Sequence, residues 1–355
     1  MKPVLNSLRI VVPALKITGG IKEIVKLAHD ACTAGADVRI VAMWRAENEV
    51  SCAPIPVDYV SRSLITKRRV LAELPQVTAR LRALVQERHA AWLLSHYSTY
   101  VAAPFAPAAR LWFFVQDLEW TFIPSPLRPP LRRFILACLR RGRVLAANDY
   151  LASALIANHV PVTQTLPIWA DPAFAGPIDG LRDIDLVMVV RRGSHKRADL
   201  VLQAMADCRA RYPHLRLAAI TPNNEFVPHL PDHPLITILV RPSIDEMREI
   251  YGRTKLFLLL SDHEGFGLPP LEAMGSGCVP VCRDCGGVRA YMRGTLRDNI
   301  LSVTLNVTTI LDQVVALLAD EARLHDQRLE AKAIFDRGIA AVDDRVRRLS
   351  EIGII

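Results

Sequence analysis

The sequence lacks any apolar run of the roughly 18 to 20 residues that a bilayer-crossing helix requires. Its opening residues carry no basic segment followed by an uninterrupted apolar stretch, so neither a membrane span nor export is expected. Cysteine is sparse and unpatterned: seven residues, at 32, 52, 138, 208, 278, 282 and 285, are an odd number in a 355-residue chain. They give no disulfide framework and fit a reducing cytoplasm. Tandem repeats and low-complexity tracts are missing too, which excludes solenoid and fibrous architectures. Aromatics reach only 6%, yet 51% of residues are apolar and 23% charged, the profile of a globular chain rather than a disordered one.

What is present is organised in two halves, as the length suggests. The net charge of +8 is unevenly placed: residues 1–165 hold 21 Lys/Arg against 11 Asp/Glu, whereas residues 166–355 hold 23 against 25. A basic first half attracts something anionic, such as a phospholipid surface, a lipid-phosphate acceptor or a nucleic acid. Leu8 to Pro13 reads as a buried strand, Thr18-Gly19-Gly20 as a loop, and Ile21 to Ala28 as a helix with apolar residues at helical spacing. Gly35 ends that helix before a strand at Val38 to Ala42, which completes a βαβ unit. Further strands are expected at Ala91–Ser95, Leu111–Val115 and Val144–Ala147, with Leu- and Arg-rich helices between them. Prolines and small residues cluster from Pro161 to Pro177, and the alternation resumes with strands at 185–190, 215–220, 235–240, 256–260 and 279–282. Such alternation predicts parallel sheets of the doubly wound kind in both halves.

The stretch Ser261-Asp262-His263-Glu264-Gly265-Phe266-Gly267-Leu268-Pro269-Pro270-Leu271-Glu272 carries the clearest chemistry. It follows an apolar strand and opens a helix, where ligands of open α/β sheets bind. Gly265 and Gly267 allow a diphosphate to approach backbone N–H groups at a helix N-terminus, whose partial positive charge favours an anion. Glu264 and Glu272 are eight positions apart and divided between strand end and helix. Glu264 is therefore placed to accept from sugar hydroxyls and Glu272 to reach a ribose.

These residues resemble the E-x7-E signature of glycosyltransferase family 4, in its EGFGLPxLEAM wording. The resemblance extends to Gly19-Gly20, expected to give room to donor phosphate and acceptor and so to help bind the donor, to Leu166-Pro167-Ile168-Trp169-Ala170-Asp171 and to Gly286-Gly287. It implies the GT-B fold, two Rossmann-like doubly wound domains facing a central cleft, with acceptor bound by the first and nucleotide sugar by the second. The expected limits are residues 1–165 for the acceptor domain, 166–183 for a linker and 184–335 for the donor domain, with a helix at about 336–355 packing back on the first. The family retains anomeric configuration and uses no catalytic metal. Its donor diphosphate is met by an Arg and a Lys in the loop after the first strand of the second domain; here Arg191 and Lys196 are the first choice, with Arg192 beside them. Phe266 and Leu268 fall within the same donor motif.

The sequence also departs from the family. Val115-Gln116-Asp117-Leu118-Glu119 stands where many members carry a cleft histidine, and Gln116 takes its place. The phrase FVQDxE resembles a subgroup with bacterial rhamnosyltransferases of surface polysaccharides, which points to Asp117 as a donor contact or general base. His96 and Glu119 are expected at the acceptor. Trp169-Ala170 replaces the usual Asn-Gly, so the donor sugar stays open, as does the nucleotide among dTDP, GDP and UDP.

Cys278, Cys282 and Cys285 have a C-x3-C-x2-C spacing seen at iron–sulfur clusters, but they flank an apolar strand and are read as core. Asp183-Ile184-Asp185 reads as a solvated turn rather than a metal–diphosphate motif. Arg128, Arg132, Arg133, Arg140, Arg141 and Arg143 alternate with apolar residues, in the manner of a helix on an anionic membrane or of a core helix with a solvated basic face. The expectation is thus a transferase of hexose or deoxyhexose from a nucleotide-diphosphate sugar to a glycan or lipid-linked acceptor, needing no cofactor or metal, with no nucleic-acid partner. It would work in the cytoplasm, peripheral to the inner membrane face, in polysaccharide or lipopolysaccharide assembly. The alternatives are a non-catalytic sugar- or nucleic-acid-binding module and a GT-B epimerase.

Overall fold

The computed structural model describes residues 7–86, 89–123 and 125–355. The chain forms two compact units: Met1–Ile168 with Val342–Ile355, and Trp169–Ala341. In the first, β1 (Ser7–Val12), α1 (Gly19–Thr33), β2 (Asp37–Ala42), β3 (Val57–Tyr59), α2 (Lys67–Leu84), β4 (Ala91–Leu94), β5 (Leu111–Val115), α3 (Arg128–Leu139), β6 (Arg143–Ala146), α4 (Asp149–Ala157) and β7 (Gln164–Thr165) follow in sequence. All seven strands are parallel, in the order β3-β2-β1-β4-β5-β6-β7.

The second unit runs through β8 (Ile184–Val189), α5 (Ala198–Arg211), β9 (Leu217–Thr221), β10 (Ile236–Val240), α6 (Ile244–Arg253), β11 (Thr254–Leu259), α7 (Leu268–Gly275), β12 (Val279–Arg283), β13 (Ile300–Leu301), α8 (Val307–Ala319) and α9 (Glu321–Asp343). Its six parallel strands lie in the order β10-β9-β8-β11-β12-β13. A final helix, α10 (Arg345–Glu351), belongs to the first unit.

The central strands read as unbroken apolar runs because helices cover both faces of a parallel sheet. Leu111 to Val115 are buried without exception, as are Leu256 to Leu259. Polar side chains start the helices: Thr18 accepts from the N–H of Ile21, and Ser243 and Glu246 form a reciprocal cap on α6. The short strands β3, β7 and β13 have no period of their own. They exist through pairing with β2, β6 and β12, which periodicity cannot reveal.

Of the segment expected to be a linker, residues 169–183 belong to the second unit. Trp169 Nε1 donates to the Phe335 carbonyl at 2.9 Å, the Gly176 N–H donates to the Gly275 carbonyl at 3.0 Å, and Phe174 is buried. The Arg182 guanidinium is buried and donates to the carbonyls of Thr254 and Ser276, both at 2.6 Å. The Trp169 indole lies where a Cβ on Gly338, within α9, would overlap it. Alanine normally stabilises a helix interior relative to glycine by roughly 0.5–1 kcal/mol. At Gly338 the sign reverses: Gly338→Ala is expected to lose about 1–3 kcal/mol, because a fixed ring cannot yield, and chemical denaturation measures this directly.

Asp183-Ile184-Asp185 is not a solvated turn. Ile184 opens β8, Asp183 pairs with Arg253 at 2.7 Å and Asp185 pairs with Lys255 at 2.8 Å. These carboxylates have structural cations, which a sequence spacing of two cannot show.

Candidate functional site

In an open parallel sheet, the loops leaving the two strands at which the order reverses diverge and leave a crevice at their carboxyl ends. In the second sheet those strands are β8 and β11, paired through Leu256 with Leu186 and Leu258 with Met188. The loop after β8 carries Arg191 to Lys196, and the loop after β11 carries Ser261 to Gly267.

Both loops converge on one carboxylate. Glu264 Oε1 accepts from Arg191 at 3.0 Å and from the Ser261 hydroxyl at 2.8 Å, and Oε2 accepts from Lys196 Nζ at 2.7 Å. Glu264 is only 5% exposed. Burial pushes its carboxyl upward, but the charges of Arg191 and Lys196 and the hydrogen bonds from Lys196 and Ser261 outweigh that and hold it below the usual range. Glu264 is therefore a carboxylate that spaces two cations. Arg192 goes elsewhere: its guanidinium makes a two-point ion pair with Glu225 on the exposed surface. Consecutive arginines are thus divided between different partners, which the sequence left open.

The cationic loop is fastened from behind. Asp262 N–H donates to the His195 carbonyl at 2.8 Å, and the Asp262 carboxylate receives Arg197 at 3.1 Å and Arg283 at 2.5 Å. On the other side, Glu264 N–H donates to the Cys285 carbonyl and Gly287 N–H to the Glu264 carbonyl, both at 2.9 Å. Gly287 has to be glycine for this approach, since a Cβ there would stand 2.5 Å from the Glu264 carbonyl oxygen. Gly267, at φ +83°, turns the chain into α7, and its carbonyl accepts from the Tyr291 hydroxyl at 2.7 Å. Phe266 is buried beneath the loop against Trp169 and Tyr291, with ring centroids 5.8 and 5.5 Å away. Gly265, Phe266 and Gly267 thus form a rigid turn leading into Leu268, the first residue of α7. Glu272 lies on the same helix, half-buried. Ser261, Asp262, Arg283 and Tyr291 were not anticipated as part of this site. Only Ser261 and Asp262 carried a signal, by lying inside the motif.

In the first unit the order reverses between β1 and β4. Gly19 and Gly20 begin α1 beyond β1, His96 follows β4, and Gln116, Asp117 and Glu119 follow the adjacent β5. A Cβ on Gly20 would come 3.2 Å from Gln116 Oε1, an oxygen that is shielded from solvent and accepts no hydrogen bond among the described residues. Asp117 Oδ1 accepts from the Leu118 N–H at 2.8 Å. His96 Nε2 lies 3.6 Å from Glu119 Oε1, while Glu119 Oε2 accepts from the Tyr97 N–H at 2.6 Å.

Burial pulls the His96 imidazole down to about 4, and burial, reinforced by the nearby Asp117, lifts the Glu119 carboxyl well above its ordinary value. Both shifts disfavour charge on the pair. The two groups act oppositely on stability. The His96 contribution is present above its unfolded value of about 6.5 and is lost as pH falls toward 4. The Glu119 contribution is present below its unfolded value of about 4.3 and is lost as pH rises through the raised folded value. Glu119→Gln copies the protonated carboxyl, so its melting temperature relative to the native chain is expected to improve as pH rises from 5 toward the raised folded value of the native carboxyl. A constant offset over that range would count against the assignment.

The arginines of the Arg128–Arg143 segment are largely engaged by the protein itself. Arg128 donates to the Ile123 carbonyl at 3.0 Å, Arg140 to the carbonyls of His159 and Asn158, Arg141 to that of Pro104, and Arg132 to the Asn158 side chain. Ile135, Leu136 and Leu139 face the core. This is the core-helix arrangement with a basic outer face. The cysteines at 278, 282 and 285 are all buried, and burial pushes the thiols of Cys278 and Cys285 up to about 12, which disfavours the thiolate form that metals require. Among the described residues no group of three ligating side chains is arranged to hold a metal ion, and no helix is long and apolar enough to cross a membrane.

Comparison with known proteins agrees with this architecture. Residues 180–334 match the family model described as Glycosyl transferases group 1. A putative glycosyltransferase 41 of Sulfolobus islandicus filamentous virus is 41% identical over 70 residues, a segment that covers 20% of this chain and 20% of that protein. Among solved structures, sucrose-phosphate synthase from Thermosynechococcus elongatus superimposes with a TM-score of 0.76 at 14% identity, covering 97% of this chain and 98% of the other. The Anabaena protein Alr3699/HepE, solved in complex with UDP and glucose, gives a TM-score of 0.73 at 14% identity over 97% and 99% of the two chains. The fold is GT-B, two Rossmann-like parallel-sheet domains, and the match to the Glycosyl transferases group 1 model lies in the second of them.

Proposed function

We propose that this protein transfers a hexose or deoxyhexose from a nucleotide-diphosphate sugar to a hydroxyl of a glycan or lipid-linked acceptor, with retention of anomeric configuration and in the manner of family 4 enzymes. The observation that carries this reading is the paired contact of Arg191 and Lys196 with buried Glu264, beside the glycine turn at the N-terminus of α7. Breaking the bond between sugar C1 and the diphosphate oxygen builds negative charge on the departing group. Two fixed cations and a set of oriented N–H groups stabilise that charge as it appears, without having to reorganise.

In this reading the second unit holds the donor: Arg191 and Lys196 meet the diphosphate, Gly265 to Leu268 supply N–H groups and Glu272 meets the ribose. The first unit holds the acceptor near His96 and Glu119, with Gly19 and Gly20 giving room. The acceptor oxygen forms its bond to C1 on the face that the diphosphate leaves. Its proton passes to Asp117 or to the departing oxygen. The complex of a similarly folded Anabaena protein with UDP and glucose supports a nucleotide-sugar donor. Assembly of a bacterial surface polysaccharide is the setting that the FVQDxE phrase suggests.

The test is a thermal-shift and donor-hydrolysis screen against UDP-, GDP-, ADP- and dTDP-sugars. A donor present at a hundred times its Kd is expected to add about 2.7 kcal/mol of stability. One nucleotide class should stabilise and turn over. Absence of any shift with all four would favour a non-catalytic binding module instead.

A further inference from the structure

The first unit contains a second basic feature, away from α3. A groove of ≈ 620 Å³ opens at the carboxyl ends of β2 and β3 and is lined by Arg45, Val57, Asp58, Tyr59 and Arg62. Ligands of open α/β sheets bind at this end of the strands, and β2 adjoins β1, whose following loop leads to Gly19 and Gly20.

The lining is built to present positive charge. The Arg45 guanidinium lies 4.5 Å above the centre of the Tyr59 ring, which orients it without neutralising it. The backbone of Arg45 is fixed on both sides, its N–H donating to the Ser63 carbonyl at 3.0 Å and its carbonyl accepting from the Ile65 N–H at 2.8 Å. Tyr59 is held in turn by its hydroxyl, which donates to Glu49 Oε2 at 2.6 Å; burial and that bond push the phenol up to about 12, so it adds no negative charge. Asp58, the single acid in the lining, already faces Arg39 at 3.4 Å. Arg62 is exposed, and it has no carboxylate partner among the described residues.

A second observation, from the next helix, points the same way. After Thr66, which caps α2, the first turn includes Arg68 and Arg69 and has no acidic residue. Cations there oppose the helix dipole, whose positive end ordinarily draws Asp and Glu. Two guanidiniums that form no ion pair among the described residues, in a groove whose one lining carboxylate faces Arg39, next to a helix start without acidic residues, form a field that an anion would complement.

We infer that this groove binds a phosphate group of the acceptor, with Arg45 and Arg62 donating to its oxygens. The inference rests on the transferase reading for the word acceptor, whereas the phosphate site itself does not. It narrows the acceptor class to a phosphorylated one, either a lipid-linked phosphate or a soluble sugar phosphate. Arginine suits the task because its planar fork meets phosphate oxygens in pairs.

The test is calorimetric titration with dodecyl phosphate and with inorganic phosphate, in a saturating amount of the nucleoside diphosphate that the donor screen identifies, so that the Arg191 and Lys196 site is filled. The native chain is compared with Arg45→Gln/Arg62→Gln. Both positions are exposed, and the melting temperature and nucleotide binding of the variant check its folding. The native chain is expected to bind at least one probe, and the double variant to lose at least about tenfold in affinity, as for two charge-assisted contacts. Tighter binding of dodecyl phosphate than of inorganic phosphate assigns a lipid-linked source, and equal binding assigns a soluble one. Unchanged affinity in the double variant, or no binding by the native chain, would overturn the proposal while leaving the transferase reading intact. Failure of every nucleotide sugar to bind would instead remove that reading and leave a phosphate site without it.

Discussion

Lys196→Ala is expected to lower the rate of sugar transfer by about 10²–10³-fold, the usual cost of removing one preorganised group that meets developing negative charge. Lys196 Nζ is 2.7 Å from Glu264 and largely covered, so its charge acts where water screens little. The same variant should also bind the nucleoside diphosphate more weakly, because the cation would meet the diphosphate in ground state and transition state alike. Glu264→Gln separates positioning from charge. It leaves both cations in place but removes the carboxylate that spaces them, so Arg191 and Lys196 repel each other and lose their alignment. Transfer should again fall by about 10²-fold or more, through misplacement of the groups that stabilise the leaving charge. Diphosphate affinity, however, is expected to hold or tighten, because the pocket has gained one unit of positive charge. Steady-state kinetics with nucleotide titration distinguishes the variants. Equal loss of diphosphate affinity in both would show that Glu264 contacts the donor itself rather than arranging the cations.

Arg345→Ala is expected to destabilise the first unit by about 3–5 kcal/mol, the range for breaking a buried ion pair by removing one partner. The Arg345 side chain is 1% exposed and meets Glu23 at 3.2 Å and Asp30 at 2.6 Å, both on α1. It is the buried charged anchor of the C-terminal helix on the N-terminal half of the sequence, beside the hydrogen bonds of Arg348 to the Thr165 carbonyl and of Arg143 to the Ile352 carbonyl. Without it, Glu23 remains as a buried carboxylate whose value burial already raises, against the opposing pull of Arg345. A raised folded value means that the Glu23 contribution is complete below its unfolded value of about 4.3 and is lost as pH rises through the folded one. The deficit of Arg345→Ala should therefore shrink as pH falls toward 5. Adding Glu23→Gln should recover a substantial part of it, and a double-mutant cycle by urea denaturation at pH 5 and 8 measures both effects. Purely additive losses would show that Arg345 acts through packing alone.

The two anchors were unequally legible. Glu264 stands out in the sequence because the two glycines that follow it in a βα turn are local events with a local reason. Glu23 and Arg345 are 322 positions apart, and nothing in their surroundings marks either as buried. The arginines between 128 and 143 were legible only as a basic face, since their spacing does not reveal that several of their donors meet carbonyls of the same unit. The linker reading met a similar limit. Proline and small residues interrupt periodicity, but they do not reveal that Trp169 and Arg182 will be fixed to α9 and α7.

The sequence by itself determined the alternation of strand and helix, the parallel character of both sheets and the glycine turn at 265–267, because periodicity and backbone freedom are properties of neighbouring residues. Tertiary structure alone decided the strand order, and with it which loops meet. It set Arg191 and Lys196 on Glu264 while sending Arg192 to Glu225, and closed Arg345 onto α1. Each of these is a pairing of charges brought together by packing across the chain, and the strength of such a pairing depends on distance and burial in space, which order along the sequence does not encode.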